Sequence, residues 1–285
     1  MVMDTVMTGR RWVAKQLRKA GLDEDTAQWE SRILVEKAMG FTKNQYLPTT
    51  TTMTQEQQDT LIQLTSRRCD GEPLQYLCGE WEFFGISFSV GEGVLIPRQD
   101  TETLVEAVLR LRRGQNSTAL LDLCSGSGCI PIAIAKHLPA VQGDCVELSA
   151  DAFGYLRQNL ERYDVPITPW QSDVFTPPET LFQRRYDVIT CNPPYLTAAD
   201  MQNLQREVQF EPAMALDGGT DGLAFYRRLI PQWKTCLKVG GWLVTEVGQG
   251  QAAQVAAIMK QADLRQCHTE TDLCGVERVV LGQLA

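Results

Sequence analysis

Two short stretches carry residue types that can do chemistry. Residues 192 to 195 read Asn-Pro-Pro-Tyr and follow the apolar run YDVIT. A planar NH2 group on an sp2 carbon, as in a carboxamide or an adenine, is a poor nucleophile because its lone pair is delocalised. A site helps such a group by accepting both N–H hydrogens, which aims the nitrogen at an electrophile. Asn192 offers a side-chain carbonyl, and Pro193 has no N–H but keeps its backbone C=O. The consecutive prolines, Pro193 and Pro194, stiffen the loop, and Tyr195 can stack its ring on the planar group. A rigid turn after a strand is the alternative reading of the same four residues.

The second stretch is DLCSGSGCI, residues 122 to 130. Gly126 and Gly128 stand where a strand-to-helix turn needs permissive backbone and close approach to a ligand. A lone G-x-G is a weak signal, but this one ends the first strand of an alternating strand–helix series and opens a helix. About twenty residues on, the next strand ends in VELS, which brings Glu147 beside the loop as an acceptor for ribose hydroxyls. The third strand ends in QSDVF, where Asp173 can accept from an adenine amino group or simply cap the strand. The loop lacks the later glycine of a dinucleotide fingerprint, so it suits a nucleoside better than a pyrophosphate. S-adenosylmethionine is favoured over NAD. Methyl transfer from a sulfonium needs no general base to begin; near-attack geometry can lower the barrier by ~7–11 kcal/mol at best.

The elements that must position these residues follow from hydrophobic period. From Ala119 onward the segments ALLDLC, GDCVELS, TPWQSDV, YDVITCN, GWLVTEV, CHTETDL and ERVVLGQ read as strands. Helices fall near 130–138, 150–163, 221–237 and 250–262, and residues 177–184 read as a loop. Near-continuous apolar strands alternating with helices imply a mostly parallel sheet covered on both faces, with ligands beyond the strands' carboxyl ends. Residues 1 to about 72 read as all-helical, with helices around Trp12 to Ala20, Asp23 to Met39, and from the Thr-x-x-Gln capping box at Thr54. Alternation at Ile86, Phe88 and Val90 marks a hairpin within residues 76 to 95, and a helix follows from Asp100 to Arg112 with Asp100 or Thr101 as N-cap. The expected domains are a helical bundle, 1–75, a hairpin linker, 76–98, and a catalytic domain, 99–285.

Composition narrows the function classes. At 285 residues with 44% hydrophobic residues and a net charge of -8, the chain suits a soluble globular enzyme and argues against broad electrostatic gripping of phosphates. Arg110, Arg112 and Arg113 read as a solvated helix end rather than a basic groove. None of the nine cysteines forms a C-x-x-C pair, and only two histidines exist, His137 and His268. A reducing cytosol, no metal and no His-based nucleophile triad are therefore expected. No apolar run reaches the ~18 residues of a membrane span.

Longer motifs narrow it further. RRCDGEPLQYLCGEWEFFGISFSV, LIPRQDTETLVE, DLCSGSG, NPPY, FEPAMALDGGTDGLAFYRRL and TEVGQGQ together resemble the HemK/PrmC family of glutamine methyltransferases of class I peptide-release factors, almost continuously from about residue 65. The resemblance implies a Rossmann-like class I methyltransferase domain with a seven-stranded sheet, following a small helical bundle that recognises the partner. It implies S-adenosylmethionine held by Asp122, Cys124, Ser125, Gly126, Ser127, Gly128, Glu147, Asp173, Val174 and Asn192. It further implies that Asn192, Pro193, Pro194 and Tyr195 hold the glutamine of a release factor's Gly-Gly-Gln motif, methylated on its side-chain nitrogen in the cytoplasm. Three departures stand out. Cys124 replaces a usual glycine and is tolerable with a negative φ; Gln99 replaces a proline and should loosen its loop; Val174 replaces an aromatic and should weaken adenine stacking. A ribosomal-protein glutamine methyltransferase, with the same catalytic loop, and an adenine-N6 nucleic-acid methyltransferase remain as alternatives.

Overall fold

The computed structural model describes residues 3–41 and 46–285. The chain divides into two compact units, Met1–Gly79 with Gln205–Phe210, and Glu80–Leu204 with Glu211–Ala285.

The smaller unit is helical because its segments start at good caps and carry one apolar face each. Helix α1 (Val6–Lys19) opens with a Thr5/Thr8 capping box, α2 (Glu24–Ala38) with Asp23 accepting from the Thr26 N–H, and α3 (Gln55–Cys69) with the expected Thr54/Gln57 box. A short helix, α4 (Leu74–Cys78), follows Pro73 where the sequence suggested the start of the hairpin. Pro73 fits the helix entry because its missing N–H would have no partner there. Val13, Leu17, Leu34, Val35 and Leu61 form the bundle core. Within it, Arg68 makes a fork of hydrogen bonds to Glu30, 2.7 and 2.9 Å, and also pairs with Glu207.

The larger unit begins with the hairpin β1 (Glu80–Phe83) and β2 (Ile86–Ser89), whose Phe83 and Phe88 are buried in that unit's own core. Chain order then runs α5 (Glu102–Leu111), β3 (Thr118–Leu123), α6 (Cys129–His137), β4 (Val141–Glu147), α7 (Ala150–Tyr163), β5 (Ile167–Gln171), α8 (Glu179–Phe182), β6 (Tyr186–Cys191) and α9 (Ala198–Met201). It closes with α10 (Ala224–Trp233), β7 (Leu237–Glu246), α11 (Ala252–Gln261), β8 (Leu264–Thr271) and β9 (Glu277–Leu284). The seven strands β3 to β9 lie in the order β5-β4-β3-β6-β7-β9-β8. Neighbours from β5 through β7 are parallel, and β9 inserts antiparallel between β7 and β8. Separate apolar cores cover the two faces, one around Val105, Ile132 and Leu156, the other around Ile189, Tyr226 and Trp233.

The stretch 177–184 is not simply a loop. Residues Glu179–Phe182 make one helical turn after Pro178, with Leu181 fully buried beneath it. Four residues are too few to show a period in sequence. His137 ends α6 with its ring edge-on to Phe84, and His268 lies in β8 against Trp242. Arg110 pairs with Glu270, and Arg112 lies 3.8 Å from Asp187, so two of the three arginines at this helix end face carboxylates. Among the described residues no helix is long and apolar enough to cross a membrane.

Candidate active site

Parallel register brings the chemistry to one edge. Val146 pairs with Leu123, Leu123 with Cys191, and Cys191 with Thr245, so four strands end abreast. The next residue along each strand path is Glu147, Cys124, Asn192 or Glu246. Glu246 had no role in the sequence reading. Its signal was there, a charged residue inside the apolar run GWLVTEV.

The loop after β3 is tightly turned. Cys124 has φ 58, Gly126 φ 53 and Gly128 φ 81. The condition under which a cysteine at 124 is tolerable, a negative φ, is therefore not met: the side chain is carried in the left-handed region, at a cost of about 1 kcal/mol. The left-handed turn is demanded by the route from β3 into α6, whatever residue occupies it. A Cβ on Gly126 would meet open space, while one on Gly128 would collide with Leu156 at 2.6 Å. Hence Gly126 borders open space, and Gly128 fixes the close approach of loop to α7.

Glu147 fastens this loop. Its Oε2 accepts the Gly126 N–H and its Oε1 the Ser149 N–H, both at 2.8 Å. Each oxygen keeps a further lone pair for a ligand hydroxyl. Burial pushes its carboxyl upward, opposed by those backbone donors. Asp122, at the core end of the loop, is completely buried; Thr190 donates to its Oδ1 at 2.6 Å and its Oδ2 has no protein partner. Burial raises Asp122 to about 7. Ser125 and Ser127 are buried, and the Ser127 carbonyl accepts from Asn159, which also exchanges two hydrogen bonds with Ser89 of β2. Asn159, another residue missed in the sequence, thus ties the hairpin to the glycine loop.

Asp173 uses Oδ1 to accept the Phe175 N–H at 2.8 Å, the strand-capping role. Val174 is packed into the core and its carbonyl accepts the Trp233 indole N–H at 2.9 Å. The half-buried aromatic at this strand end is Phe175, with the Arg228 guanidinium 3.7 Å from its ring centre. Leu148, half-exposed beside Glu147, adds an apolar side chain at the lip.

The Asn192–Tyr195 loop is held from three sides. Gln251 donates to the Tyr195 carbonyl and accepts the Gly248 N–H, both at 2.9 Å. Leu196 exchanges backbone hydrogen bonds with Leu216 and Gly218. A Cβ on Gly218 would lie 2.7 Å from the Tyr195 Cα, so only glycine admits that approach. The Tyr195 hydroxyl donates to Glu246 Oε1 at 3.3 Å, and Asn192 Nδ2 donates to Thr101 Oγ1 at 3.4 Å. Glu246 is almost fully buried, with Oε2 lacking a protein partner, and burial raises it to about 7. Gln99–Thr101 form a 3-10 turn, and Glu211 accepts the Ile96 N–H and pairs with Arg98.

A cleft of about 630 Å³ lies elsewhere, at the amino ends of the strands around Gln142, Gly143, Thr168 and Arg184. Asp144 there is saturated by Trp170, Arg184 and Tyr186, a structural cluster.

Comparison with known proteins fits this edge. Residues 10–79 match the PrmC N-terminal domain and residues 99–220 the methyltransferase small domain. The release factor glutamine methyltransferase of Geobacter sulfurreducens is 39% identical over 275 residues, 96% of this chain and 94% of the relative. The chain belongs to the release factor glutamine methyltransferase family. The member from Thermodesulfovibrio yellowstonii is 37% identical, covering 87% of this chain and 88% of its own. The fold also matches the catalytic domain of hMettl16 in complex with a MAT2A 3'UTR hairpin, with TM-score 0.59, 15% identity and 79% of each chain covered. Glu211, Gly218, Gln251 and Glu246 all sit in the longer motifs that carried the resemblance; Gly218, Gln251 and Glu246 meet the Asn192–Tyr195 loop, while Glu211 holds Ile96 and Arg98.

Proposed function

We propose that the protein transfers a methyl group from S-adenosylmethionine to the side-chain amide nitrogen (N5) of the glutamine in the Gly-Gly-Gln motif of class I peptide chain release factors, in the cytoplasm. The observation that supports this reading is the row Glu147, Cys124, Asn192 and Glu246, which stands abreast on one sheet edge beside the glycine loop. The donor fits the residues present. Asp122 holds an orphaned buried oxygen suited to a cationic N–H, Glu147 retains acceptor capacity for ribose hydroxyls, and Gly126 opens onto space. Phe175 and Leu148, more than Val174, supply apolar surface for adenine. When bound, S-adenosylmethionine supplies an electrophilic methyl on a sulfonium, a charge favoured by the carboxyls of Asp122, Glu147 and Glu246.

Asn192 Oδ1 and the Pro193 carbonyl each accept one hydrogen of the glutamine NH2, which fixes the nitrogen's direction. Pro194 restrains the loop, and the Tyr195 ring lies along the planar amide. Positioning of this sort acts through entropy and alignment, without a proton transfer before the methyl moves. The bundle, residues 1–75, is assigned to recognition of the protein partner, with residues 76–98 linking it to the catalytic domain, 99–285. The paired state of Arg110 and Arg112 supports a protein over a nucleic-acid substrate. Asn192→Ala separates holding from binding: methyl transfer falls at least ~100-fold, the loss of one aligned acceptor, while donor affinity changes little. Unchanged turnover would remove Asn192 from the amide.

A further inference from the structure

Asn159 of α7 is fully buried, and its hydrogen bonds all run to main chain. Its Oδ1 accepts the Ser89 N–H at 2.8 Å; its Nδ2 donates to the Ser89 carbonyl at 3.0 Å and to the Ser127 carbonyl at 2.9 Å. A main-chain N–H only donates and a carbonyl only accepts, so these partners fix the direction of the amide at any pH. Ser89 ends β2 of the hairpin, and Ser127 lies in the glycine loop.

This contact is one rung of a ladder. Along α7, Tyr163, Asn159, Tyr155 and Asp151 stand four residues apart, and they meet Ser87, Ser89, Gly91 and Gly93, which stand two apart. The Tyr163 hydroxyl donates to the Ser87 carbonyl. A Cβ on Gly91 would run into the Tyr155 hydroxyl, and one on Gly93 would lie 2.6 Å from the Asp151 Cβ. Four helical residues rise about 6 Å and two extended residues about 6.6 Å, so the two segments keep step. The N-cap of α7 is Ser149, whose N–H is held by Glu147. Residues 87–93 thus brace a helix that meets Glu147 at its start and the glycine loop at Asn159.

What Asn159 holds is the Ser127–Gly128 peptide. The carbonyl of that peptide goes to Asn159, and its N–H, which a trans peptide points the opposite way, goes to the Ser125 carbonyl at 2.8 Å. Gly128, at φ 81, has no side chain to resist a half-turn of the peptide. The two hydrogen bonds resist it instead.

We propose that Asn159 is a positioning residue for methyl-donor binding: anchored on residues 87–93, it locks the Ser127–Gly128 peptide and so keeps the glycine loop preformed for the donor. This rests on the reading that the loop binds S-adenosylmethionine. It gives the hairpin a task beyond linking two segments of chain.

Asn159→Leu keeps the size and deletes all three bonds. The dissociation constant for S-adenosylmethionine, measured by calorimetry on the full chain, should rise about tenfold or more, as loss of buried hydrogen bonds to the loop requires. Turnover at saturating donor should stay within about threefold of wild type, a split that a residue acting only on stability would not produce. The Gly128 backbone amide signal in a 1H–15N correlation spectrum of the donor-free protein should also shift. Asn159→Asp is the second variant. Its carboxyl still accepts the Ser89 N–H but donates to a carbonyl only when protonated, so its donor affinity relative to wild type should be better at about pH 5.5 than at about pH 8. An unchanged dissociation constant in folded Asn159→Leu would overturn the proposal, as would a kcat that falls as far as the affinity. Should the Leu variant not fold, a pH-independent affinity ratio in Asn159→Asp overturns it in the same way. A wild-type protein that binds no S-adenosylmethionine would defeat the donor reading and the binding part of this proposal; the Gly128 signal would then decide alone whether Asn159 locks the peptide.

Discussion

Gln251 holds Tyr195 by its backbone: the Gln251 Nε2 donates to the Tyr195 carbonyl at 2.9 Å, and a Cβ at Gly222 would collide with both. The loop proposed to aim an amide is thus pinned by an uncharged clamp, Gln251, from the loop that follows β7. Gln251→Leu leaves that carbonyl and the Gly248 N–H without partners, worth ~1–3 kcal/mol. We expect kcat to fall about tenfold or more with donor affinity nearly unchanged, measured by steady-state kinetics and calorimetry. Equal losses in both would show that the clamp serves the whole edge instead.

Cys124 at φ 58 carries strain that glycine would not. Cys124→Gly should stabilise the protein by about 1 kcal/mol, raising the thermal midpoint by ~2 °C for a protein of this size. A lowered midpoint would mean that packing of the Cys124 side chain outweighs the backbone term.

Glu147 accepts the N–H groups of Gly126 and Ser149, and is proposed to accept from the ribose of the donor. Glu147→Ala removes a charged acceptor worth roughly 1.5–3 kcal/mol, so the dissociation constant for S-adenosylmethionine should rise ~10–100-fold. A constant that does not change would take Glu147 away from the ribose.

Two buried carboxyls make stability depend on pH in an unusual direction. Burial raises Asp122 from 3.8 to about 7 and Glu246 from 4.5 to about 7. Each binds its proton more tightly folded than unfolded, so between the ordinary carboxyl range and about 7 the native state holds more protons. Unfolding free energy therefore falls as pH rises through that window, by up to ~1.4 kcal/mol per unit for each group. Urea titration of the ligand-free protein should give greater stability at pH 5.5 than at 7.5. A flat or rising profile across that range would show that other groups dominate.

Much of this was legible in the sequence for a physical reason. Parallel strands buried on both faces read as continuous apolar runs, so β3, β4, β6 and β7 were visible, and so was the placement of Asn192 and Glu147 at their ends. The cap at Thr54 was visible because one residue type at one offset satisfies one orphan N–H. What stayed hidden was set by the path of the chain. The sign of φ at Cys124 comes from the turn into α6, and the partners of Gln251 and Asn159 are distant in sequence. Thr101 looked like a cap because local rules place it there, whereas in the structure its hydroxyl is buried beside Asn192.

The most direct measurement is mass spectrometry of tryptic peptides after the protein is mixed with S-adenosylmethionine and unmethylated release factor. One added methyl on the glutamine of the Gly-Gly-Gln peptide is the predicted result. No methyl on that peptide, with a ribosomal-protein or DNA control modified in its place, would contradict the account of the substrate.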